Sequence, residues 1–594
     1  MLTIQARNRE LARREWVARS LTVERLLAVA PLALVPAAVG FWLWSLQGVD
    51  LRRMNDLGLV SVLGPGFLVA LVLLTASFTS AVLRRRPSEL GLLAHVLVLI
   101  LVLYGTVPLL DTVPQGTAVY NHLGVADYVS HHGHVDREID AYFNWPGFFV
   151  MTSALTGLAG AASAFDVARF GPLVFNLLYI APLVLLFRTG IRAERRSATY
   201  VWLCVWLFFC ANWVGQDAYS PQAFGYLAYL CTVALLVSVF RPRVGKREEF
   251  GAAQRAAVLA VVALGYVAIA ISHQLTPYAL VVASLALVVT RATRVNALPG
   301  FMAVVAVLWF AYSAVPFFQQ FLREQGRNIG AVSENVNSGL GARLAGSPEH
   351  LFVVHTRVAF TLLLWSLVPV GIWLRRRRGL GNRSFLALAA SGVLLVGLQS
   401  YGGEILLRVY LFSLPGVLVF VAAVAVVNGL GPVARGGLVA SLSLVLLSLF
   451  VFARYGNARI DYFSPQEVAA VDHLYRVAPP GSLLLAGTLN LPWRSQGYAA
   501  YDYEMVDELD SWSAGTGPRA VDRVAREVVR TMRAHRRPGA FLVFARSMEP
   551  WEQFLDLRRA GELARVRRAV VATGLVRLVY HDEDTAIYTL RPAA

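Results

Sequence analysis

The first residues with obvious chemical potential are three histidines and three acids in "HHGHVDREIDAYFNWPGFF", residues 131–149. Imidazole and carboxylate groups are competent ligands of divalent metal ions. His131, His132 and His134 are therefore candidate metal ligands. The segment lacks a standard ligand spacing, which favours the alternative of a solvated loop between two interfacial helices. A divalent metal stays possible, and the segment identifies no particular cofactor.

A single carboxylate, that of Asp111, directly follows the apolar run "LVLYGTVPLL". It should therefore lie at the boundary between membrane and water. A carboxylate in that position could take a proton from an incoming hydroxyl, provided that it is ionised. The alternative is that Asp111 only ends one helix or caps the next.

Two charged residues in "SYGGEILLR", residues 400–408, are spaced to share one face of a helix. Glu404 precedes Arg408 by four positions, which is the favoured orientation of such a pair. One interpretation is a structural ion pair that locks two membrane spans together. The other is that Arg408 binds an anionic lipid headgroup, since the planar guanidinium suits phosphate. Arg357, beside His355, is a second and weaker candidate for phosphate binding.

His273 lies in "SHQLTPY", residues 272–278, at a sharp break between two apolar segments. A lone polar residue at such a break indicates either a role in a site or a cap. Ser272 and Pro277 are ordinary loop chemistry, and they keep the second interpretation open.

Composition shows what must position these groups. Of the 594 residues, 57% are hydrophobic and 15% are charged, which is typical of an integral membrane protein. The net charge of +17 comes almost entirely from arginine and gives no indication of nucleic-acid binding. Because a helix needs about 20 apolar residues to cross the hydrocarbon, about thirteen spans are predicted. They lie near 26–46, 57–82, 91–110, 170–187, 197–213, 223–240, 256–271, 276–290, 299–317, 355–374, 384–400, 405–427 and 438–453.

Arginines set the orientation of these spans. They cluster in alternate loops, including a basic arm at 1–25, "RRR" at 84–86 and "RRRRGLGNR" at 375–383. Basic loops stay cytoplasmic, so the amino terminus is predicted inside and the carboxyl end outside the cell membrane. A crossing at 146–165 would put the later basic loops outside. That run is therefore predicted to lie at the outer interface, within an outer loop at 111–169.

With this topology the polar residues that interrupt apolar sequence collect on the outer side of a membrane domain at 26–454. Ionisable groups at a membrane boundary are costly to keep dry and often indicate function. Beyond residue 455 the pattern changes to alternating helix and strand and closes with a hairpin, which predicts a small extracytoplasmic α/β domain at 455–594. Its segment 490–512 concentrates aromatic rings and acids, which could stack on sugars or pack on their own domain.

This layout resembles the GT-C superfamily of membrane glycosyltransferases, which includes protein mannosyltransferases and lipid A aminoarabinose transferases. The resemblance covers about 91–454 and is carried by short motifs. They are an acid that opens a large outer loop, an interfacial helix in "TAVYNHLGVADYVSHHG", the aromatic-proline run "YFNWPGFF", and the later loops "QDAYSPQ", "SHQLTPY" and "GGEILLR". The resemblance implies an all-α polytopic membrane domain with interfacial helices in that loop.

The same resemblance implies a function and a set of site residues. A polyprenyl-phosphate-linked sugar would pass to an acceptor hydroxyl on a glycan, lipid or protein at the outer face of the bilayer, with inversion of the anomeric centre. Asp111 is the best candidate for the catalytic carboxylate, and Asp140 is the fallback. The residues expected to bind the donor phosphate or substrate are Arg408, Glu404, His273, Gln274, Arg357, Asp217, Tyr219, Tyr120, His122 and Trp145.

Three alternatives stay open at this point. A transporter or flippase of lipid-linked sugars would place charges near the midplane between repeats, whereas here the polar groups gather on one side. A polysaccharide polymerase or ligase would share the lipid donor and differ in its acceptor. A non-enzymatic scaffold would bind through the outer domain alone.

Overall fold

The computed structural model describes residues 29–159, 164–191, 197–242, 250–317, 344–397, 403–426, 429–513, 518–535, 537–554 and 561–592. The predicted basic arm at 1–25 lies outside the described residues, as do residues 318–343.

An apolar helix coincides with each of the thirteen predicted spans. Eight of the described helices are long and apolar enough to cross a membrane, and the remaining spans contain shorter apolar helices. The chain is a multi-pass membrane protein. In chain order the helices through the membrane domain are α1 (Val29–Ser45), α2 (Gly66–Leu83), α3 (Glu89–Leu110), α4 (Thr117–His132), α5 (Gly147–Ala159), α6 (Ala164–Ala168), α7 (Gly171–Ile191), α8 (Ser197–Ala211), α9 (Pro221–Val239), α10 (Ala252–Ala270), α11 (Thr276–Val289), α12 (Leu298–Leu308), α13 (Pro348–Arg377), α14 (Arg383–Leu394), α15 (Ile405–Val426) and α16 (Pro432–Tyr455).

Helix α15 is the centre of the membrane domain. Of the residues in its apolar stretch, 89% are buried inside the protein, against 17% for the peripheral helix α10. At Gly416 an added Cβ would lie 2.5 Å from the carbonyl oxygen of Phe385, so the absence of a side chain lets α14 approach α15 closely. This packing fixes the position of Arg408, which lies near the start of α15.

The predicted outer loop follows α3 and contains α4, α5 and α6. Helix α4 covers the predicted interfacial segment, and a 3₁₀ turn at Ala141–Asn144 leads into α5. The described part of α5 covers thirteen residues, and the residues 160–163 that follow it lie outside the described ranges.

The carboxyl-terminal part forms a five-stranded sheet with the order β2-β1-β3-β5-β4. The first three strands pair in parallel, and β4 and β5 form the predicted closing hairpin. The elements are α17 (Ala458–Asp461), α18 (Pro465–Val477), β1 (Leu483–Ala486), β2 (Asp502–Met505), α19 (Asp510–Ser513), α20 (Pro518–Ala534), β3 (Ala540–Ala545), α21 (Met548–Phe554), α22 (Glu562–Ala572), β4 (Val576–His581) and β5 (Thr585–Leu590).

The α/β domain packs directly on the outer loop. The Tyr498 hydroxyl donates a hydrogen bond to the Asp140 carboxylate at 2.8 Å, and the Thr117 hydroxyl donates to the Asn490 side-chain oxygen at 3.1 Å. Trp493 is fully buried in the domain's own core. The aromatic segment 490–512 therefore packs both on its own domain and on the loop that the sequence identified as functional.

We predict that Gly124→Ala weakens this interface. A Cβ at Gly124, in α4, would overlap the carbonyl oxygen of Arg494, and backbone atoms cannot yield as a flexible side chain can. Overpacking of this kind costs about 1–3 kcal/mol, so the apparent Tm in a detergent thermal-shift assay should fall. Gly157→Ala is the matched control, because the space around Gly157 in α5 is open. An equal Tm for both variants would contradict the tight contact.

Candidate active site

A cavity of about 850 Å³ lies where the ends of several membrane helices meet the outer loop and the junction to the α/β domain. Its wall combines apolar side chains with many polar and charged ones. The polar and charged residues of the wall include Gln115, His122, Asp140, Arg169, Gln216, Asp217, Gln222, His273, Gln274, Arg357, Glu404, Arg408, Arg454, Asn457 and Asp461.

Most of the site residues predicted from the sequence meet in this cavity. Those that line it are Asp140, Arg408, Glu404, His273, Gln274, Arg357, Asp217, His122 and Trp145. Tyr120 and Tyr219 lie behind the wall. The Tyr120 hydroxyl donates to the Pro114 carbonyl oxygen at 2.9 Å, and the Tyr219 carbonyl oxygen contacts the His122 ring at 2.9 Å.

Asp111 lies just behind the cavity wall. The backbone N–H of Val113 and the side-chain amide of Gln115 each donate to its carboxylate at 3.2 Å, and both of these residues line the cavity. Burial raises the pKa of Asp111 to about 6, although these hydrogen bonds and Arg169 act in the opposite direction. The carboxylate is thus largely ionised at neutral pH, one side chain away from the cavity.

Asp140 faces the cavity directly and is held from both sides. One carboxylate oxygen accepts a hydrogen bond from the Tyr142 backbone N–H at 2.7 Å, and the other accepts from Tyr498 of the α/β domain. The orientation of the Asp140 carboxylate is therefore fixed jointly by the predicted outer loop and the α/β domain.

The predicted pair on α15 is present. An Nη of Arg408 lies 3.0 Å from the Glu404 carboxylate, and the side chain of Arg408 is 5% exposed whereas that of Glu404 is 40% exposed. The Gln216 amide also reaches Glu404 at 3.5 Å. A nearly buried guanidinium with a half-exposed partner is compatible both with a structural ion pair and with phosphate binding by Arg408.

Two histidines of the wall are neutral imidazoles at neutral pH. Burial lowers the pKa of His122 to about 4. Burial, followed by the nearby Arg408, holds the pKa of His273 well below its usual value. The backbone N–H groups of Leu275 and Thr276 donate to Nδ1 of His273 at 3.3 and 3.1 Å, so its proton is on Nε2. His273 can therefore donate a hydrogen bond to a phosphate oxygen without carrying charge.

Asp217 is engaged in an ion pair that sequence reasoning missed. Its carboxylate is 1% exposed and accepts from Arg454 at 2.8 Å and from the Asn176 amide at 2.6 Å. Arg454 is at the end of α16, where the apolar run gave no indication of a partner. Asp217 therefore fixes the cavity wall as well as lining it.

We predict that Asp217→Asn lowers the free energy of unfolding by about 1.5–3 kcal/mol, the usual contribution of a hydrogen bond to a charged group. The neutral amide would leave Arg454 without its counter-charge. Asp50→Asn is the control, because Asp50 pairs with Arg53 on the surface, where both side chains are largely exposed and such pairs contribute little. Titration with a denaturing detergent measures both variants, and equal losses would contradict the structural role of the Asp217 pair.

The side chains of the histidine-rich segment are exposed to solvent. His131, His132 and His134 each place Nδ1 within 3.0 Å of a nearby backbone carbonyl oxygen. Among the described residues, no group of three or more His, Cys, Asp or Glu side chains is arranged to hold a metal ion.

Sequence reasoning also missed Arg169, Gln222 and Asp461. Arg169 donates to the Asp111 carbonyl oxygen at 3.2 Å. Asp461 was assigned to the start of the soluble tail, yet it lines the cavity. Both Arg454 and Asp461 follow the last apolar run, at the same membrane boundary as Asp111, and this position was the signal that the sequence offered.

Comparison with known proteins identifies the fold. No protein-family model and no curated protein sequence matches the chain. Among solved structures, the Archaeoglobus fulgidus oligosaccharyltransferase tethered to an acceptor peptide matches with a TM-score of 0.50 at 12% identity, over 85% of this chain and 74% of that one. The same enzyme in complex with zinc and sulfate matches with a TM-score of 0.50 at 14% identity, over 84% and 72%. ArnT from Cupriavidus metallidurans, bound to undecaprenyl phosphate, gives a TM-score of 0.48 at 14% identity, over 84% of this chain and 97% of that one.

The two oligosaccharyltransferase structures, at a TM-score of 0.50, show that this chain shares their fold, which is the GT-C fold that the sequence motifs led us to expect. At 12–14% identity the likeness establishes the architecture, and the activity must be argued from the site.

Proposed function

We propose that the protein is a membrane glycosyltransferase that moves a sugar from a polyprenyl-phosphate carrier to an acceptor hydroxyl. The observation that carries the proposal is the cavity itself, in which carboxylates and arginines converge at the ends of apolar helices. A phosphate leaving group needs positive charge, and an attacking hydroxyl needs a base. One cavity offers both.

The proposed reaction follows from these groups. A carboxylate, Asp111 or in its place Asp140, takes the proton of the acceptor hydroxyl as its oxygen attacks the anomeric carbon. The bond from that carbon to the phosphate oxygen breaks, and the lipid phosphate leaves with the electron pair. Arg408, with Arg357 and the neutral His273, stabilises the growing negative charge. Attack from the face opposite the phosphate inverts the anomeric centre.

An apolar carrier suits the surroundings of the cavity. Leu103, Val107 and Leu407 line it beside the charged groups, and they belong to helices that are apolar enough to span the bilayer. A polyprenyl tail could lie along such helices while its phosphate reaches the arginines. The bilayer is thus proposed both as the location of the enzyme and as the route of its donor.

We further propose that the cavity and the α/β domain lie on the outer side of the cell membrane. The support is the distribution of arginines, since the clusters at 84–86 and 375–378 belong to the opposite ends of the spans. Protease added to sealed right-side-out vesicles should remove the α/β domain. Complete protection, with digestion only after the membrane is opened, would overturn this orientation.

The activity is tested with purified protein in liposomes and a panel of labelled polyprenyl-phosphate sugars, offered with cell-envelope glycans, lipids or peptides as acceptors. A glycosyltransferase detaches the sugar from its carrier and attaches it to an acceptor. A flippase would move intact lipid between leaflets without consuming it, and a polymerase would yield products that lengthen with time. Transport without consumption would overturn the proposal.

A further inference from the structure

The junction between α16 and the α/β domain contributes Asn457, Ala458 and Asp461 to the cavity wall, and Asp461 is the only acid among these three. Asp461 is the last residue of α17, and its backbone carbonyl oxygen accepts a hydrogen bond from the Gly116 N–H of the outer loop at 2.8 Å. The junction is therefore docked on the loop that begins at Asp111. This docking holds the Asp461 side chain at the cavity wall.

The Asp461 side chain lines the cavity and is exposed. Within the described ranges no side chain or backbone group hydrogen-bonds to it. The Gln222 side chain, on the wall of the same cavity, is 4% exposed, and its amide nitrogen and oxygen also lack partners in the described part of the chain. A buried polar side chain such as that of Gln222 is costly unless a ligand or water satisfies it, so this part of the cavity wall is suited to a polar ligand.

The charge around Asp461 indicates the kind of ligand. Burial raises the pKa of the Asp461 carboxyl to about 6, and the nearby guanidinium groups of Arg357 and Arg454 act against that rise. At neutral pH the group is therefore mainly ionised and can only accept hydrogen bonds. An anion repels a phosphate but accepts a hydrogen bond from a hydroxyl, and such charge-assisted bonds are the strong ones.

We propose that Asp461 binds a hydroxyl group of a sugar in the cavity, so that the segment leading to the outer domain completes the substrate site. This rests on the proposed function. The hydroxyl belongs either to the sugar on the lipid carrier or to an acceptor glycan. Asp461 is a binding residue in this assignment and forms no covalent bond.

The test compares the wild type with Asp461→Asn and Asp461→Glu in two arms. The first arm measures equilibrium binding of a polyprenyl phosphate alone and of polyprenyl-phosphate sugars. The second measures turnover of a labelled lipid-linked sugar against rising concentrations of an oligosaccharide acceptor. Asp502→Asn is the control, because Asp502 is an exposed acid on the edge strand β2. Thermal shift checks that each variant is folded.

If the donor sugar is the ligand, Asp461→Asn should weaken binding of the sugar-bearing lipid about tenfold or more and leave bare polyprenyl phosphate unchanged. If the acceptor is the ligand, KM for the oligosaccharide should rise by about the same factor, with kcat nearly unchanged. Asp461→Glu should recover part of either loss. Because the ionised carboxylate accepts the hydrogen bond, wild-type affinity should fall as pH decreases through about 6, and the Asn variant should lose this dependence.

The outcomes separate the two proposals. If the wild type is active and Asp461→Asn has unchanged donor binding and an unchanged KM for the acceptor, the assignment of Asp461 is overturned. The proposed function is not affected by that result. Equal weakening of bare polyprenyl phosphate and of the sugar-bearing lipid also overturns it, because the residue would then act on the phosphate or on the fold. A wild type that neither binds nor consumes any lipid-linked sugar overturns the proposed function, and this assignment with it.

Discussion

Asp111→Asn should lower the turnover of a polyprenyl-phosphate sugar by about 10²–10⁴-fold, the usual contribution of a general base. The substitution preserves the shape of the side chain and removes the group that would take the acceptor proton. Burial raises the pKa of Asp111 to about 6, close to the working pH, which suits a base. The wild-type kcat, measured at saturating substrate so that Asp461-dependent affinity does not contribute, should fall as pH decreases through about 6, and the residual kcat of Asp111→Asn should lack this limb.

Asp140→Asn is the matched comparison for Asp111. Both carboxylates already accept two hydrogen bonds, Asp140 from Tyr142 and Tyr498 and Asp111 from Val113 and Gln115, but Asp111 is the one whose pKa burial raises to about 6. We expect its substitution to cost at least tenfold less kcat than that of Asp111. If Asp140→Asn loses more kcat than Asp111→Asn, the role of general base passes from Asp111 to Asp140. Full turnover in both variants would remove both residues from the mechanism.

Arg408→Ala should lower turnover by about 10²–10³-fold, as removal of a group that stabilises transition-state charge commonly does. Arg408 is nearly buried on the central helix, and its side chain lines the cavity close to the neutral His273. Arg408→Lys should recover part of the activity, because lysine provides charge without the planar fork that binds phosphate. Turnover of the labelled lipid-linked sugar measures both variants.

Glu404→Gln distinguishes this role from that of a structural ion pair. If the pair mainly locks the helices together, the loss of either partner should lower the Tm to a similar extent. If Arg408 binds phosphate, Glu404→Gln should preserve most of the turnover, since the half-exposed Glu404 only neutralises the guanidinium. Equal thermal destabilisation in Arg408→Ala and Glu404→Gln, with wild-type specific activity in the folded protein, would contradict phosphate binding.

The membrane fold was predictable because its signals are local. Each apolar run long enough for a span contains a helix, and the two-fold alternation of helix and strand after residue 455 appears as α18, β1, α20 and β3. Helix α4 was expected from the resemblance to the GT-C superfamily, which implies a helix at "TAVYNHLGVADYVSHHG", and the structure has a helix over Thr117–His132.

The candidate site was predictable in outline, because polar residues at the same ends of neighbouring spans come together when the spans pack. The pairing among them was not predictable. Asp217 was expected to bind substrate, and its ion pair with Arg454 joins residues that are 237 positions apart in sequence. The position of Asp461 just beyond the last apolar run placed it near the same ends of the spans, but its place in the cavity wall depends on the docking of the junction on Gly116, which the sequence does not show.

The central claim is that a lipid phosphate binds in the cavity beside the arginines. The most direct test is an experimental structure, determined in a lipid nanodisc, of the protein with a polyprenyl phosphate. We predict that the phosphate lies within the cavity, with an oxygen about 3 Å from the Arg408 guanidinium, and that the tail extends along the membrane helices. A phosphate bound on a surface outside the cavity, or at the opposite ends of the spans, would contradict the account.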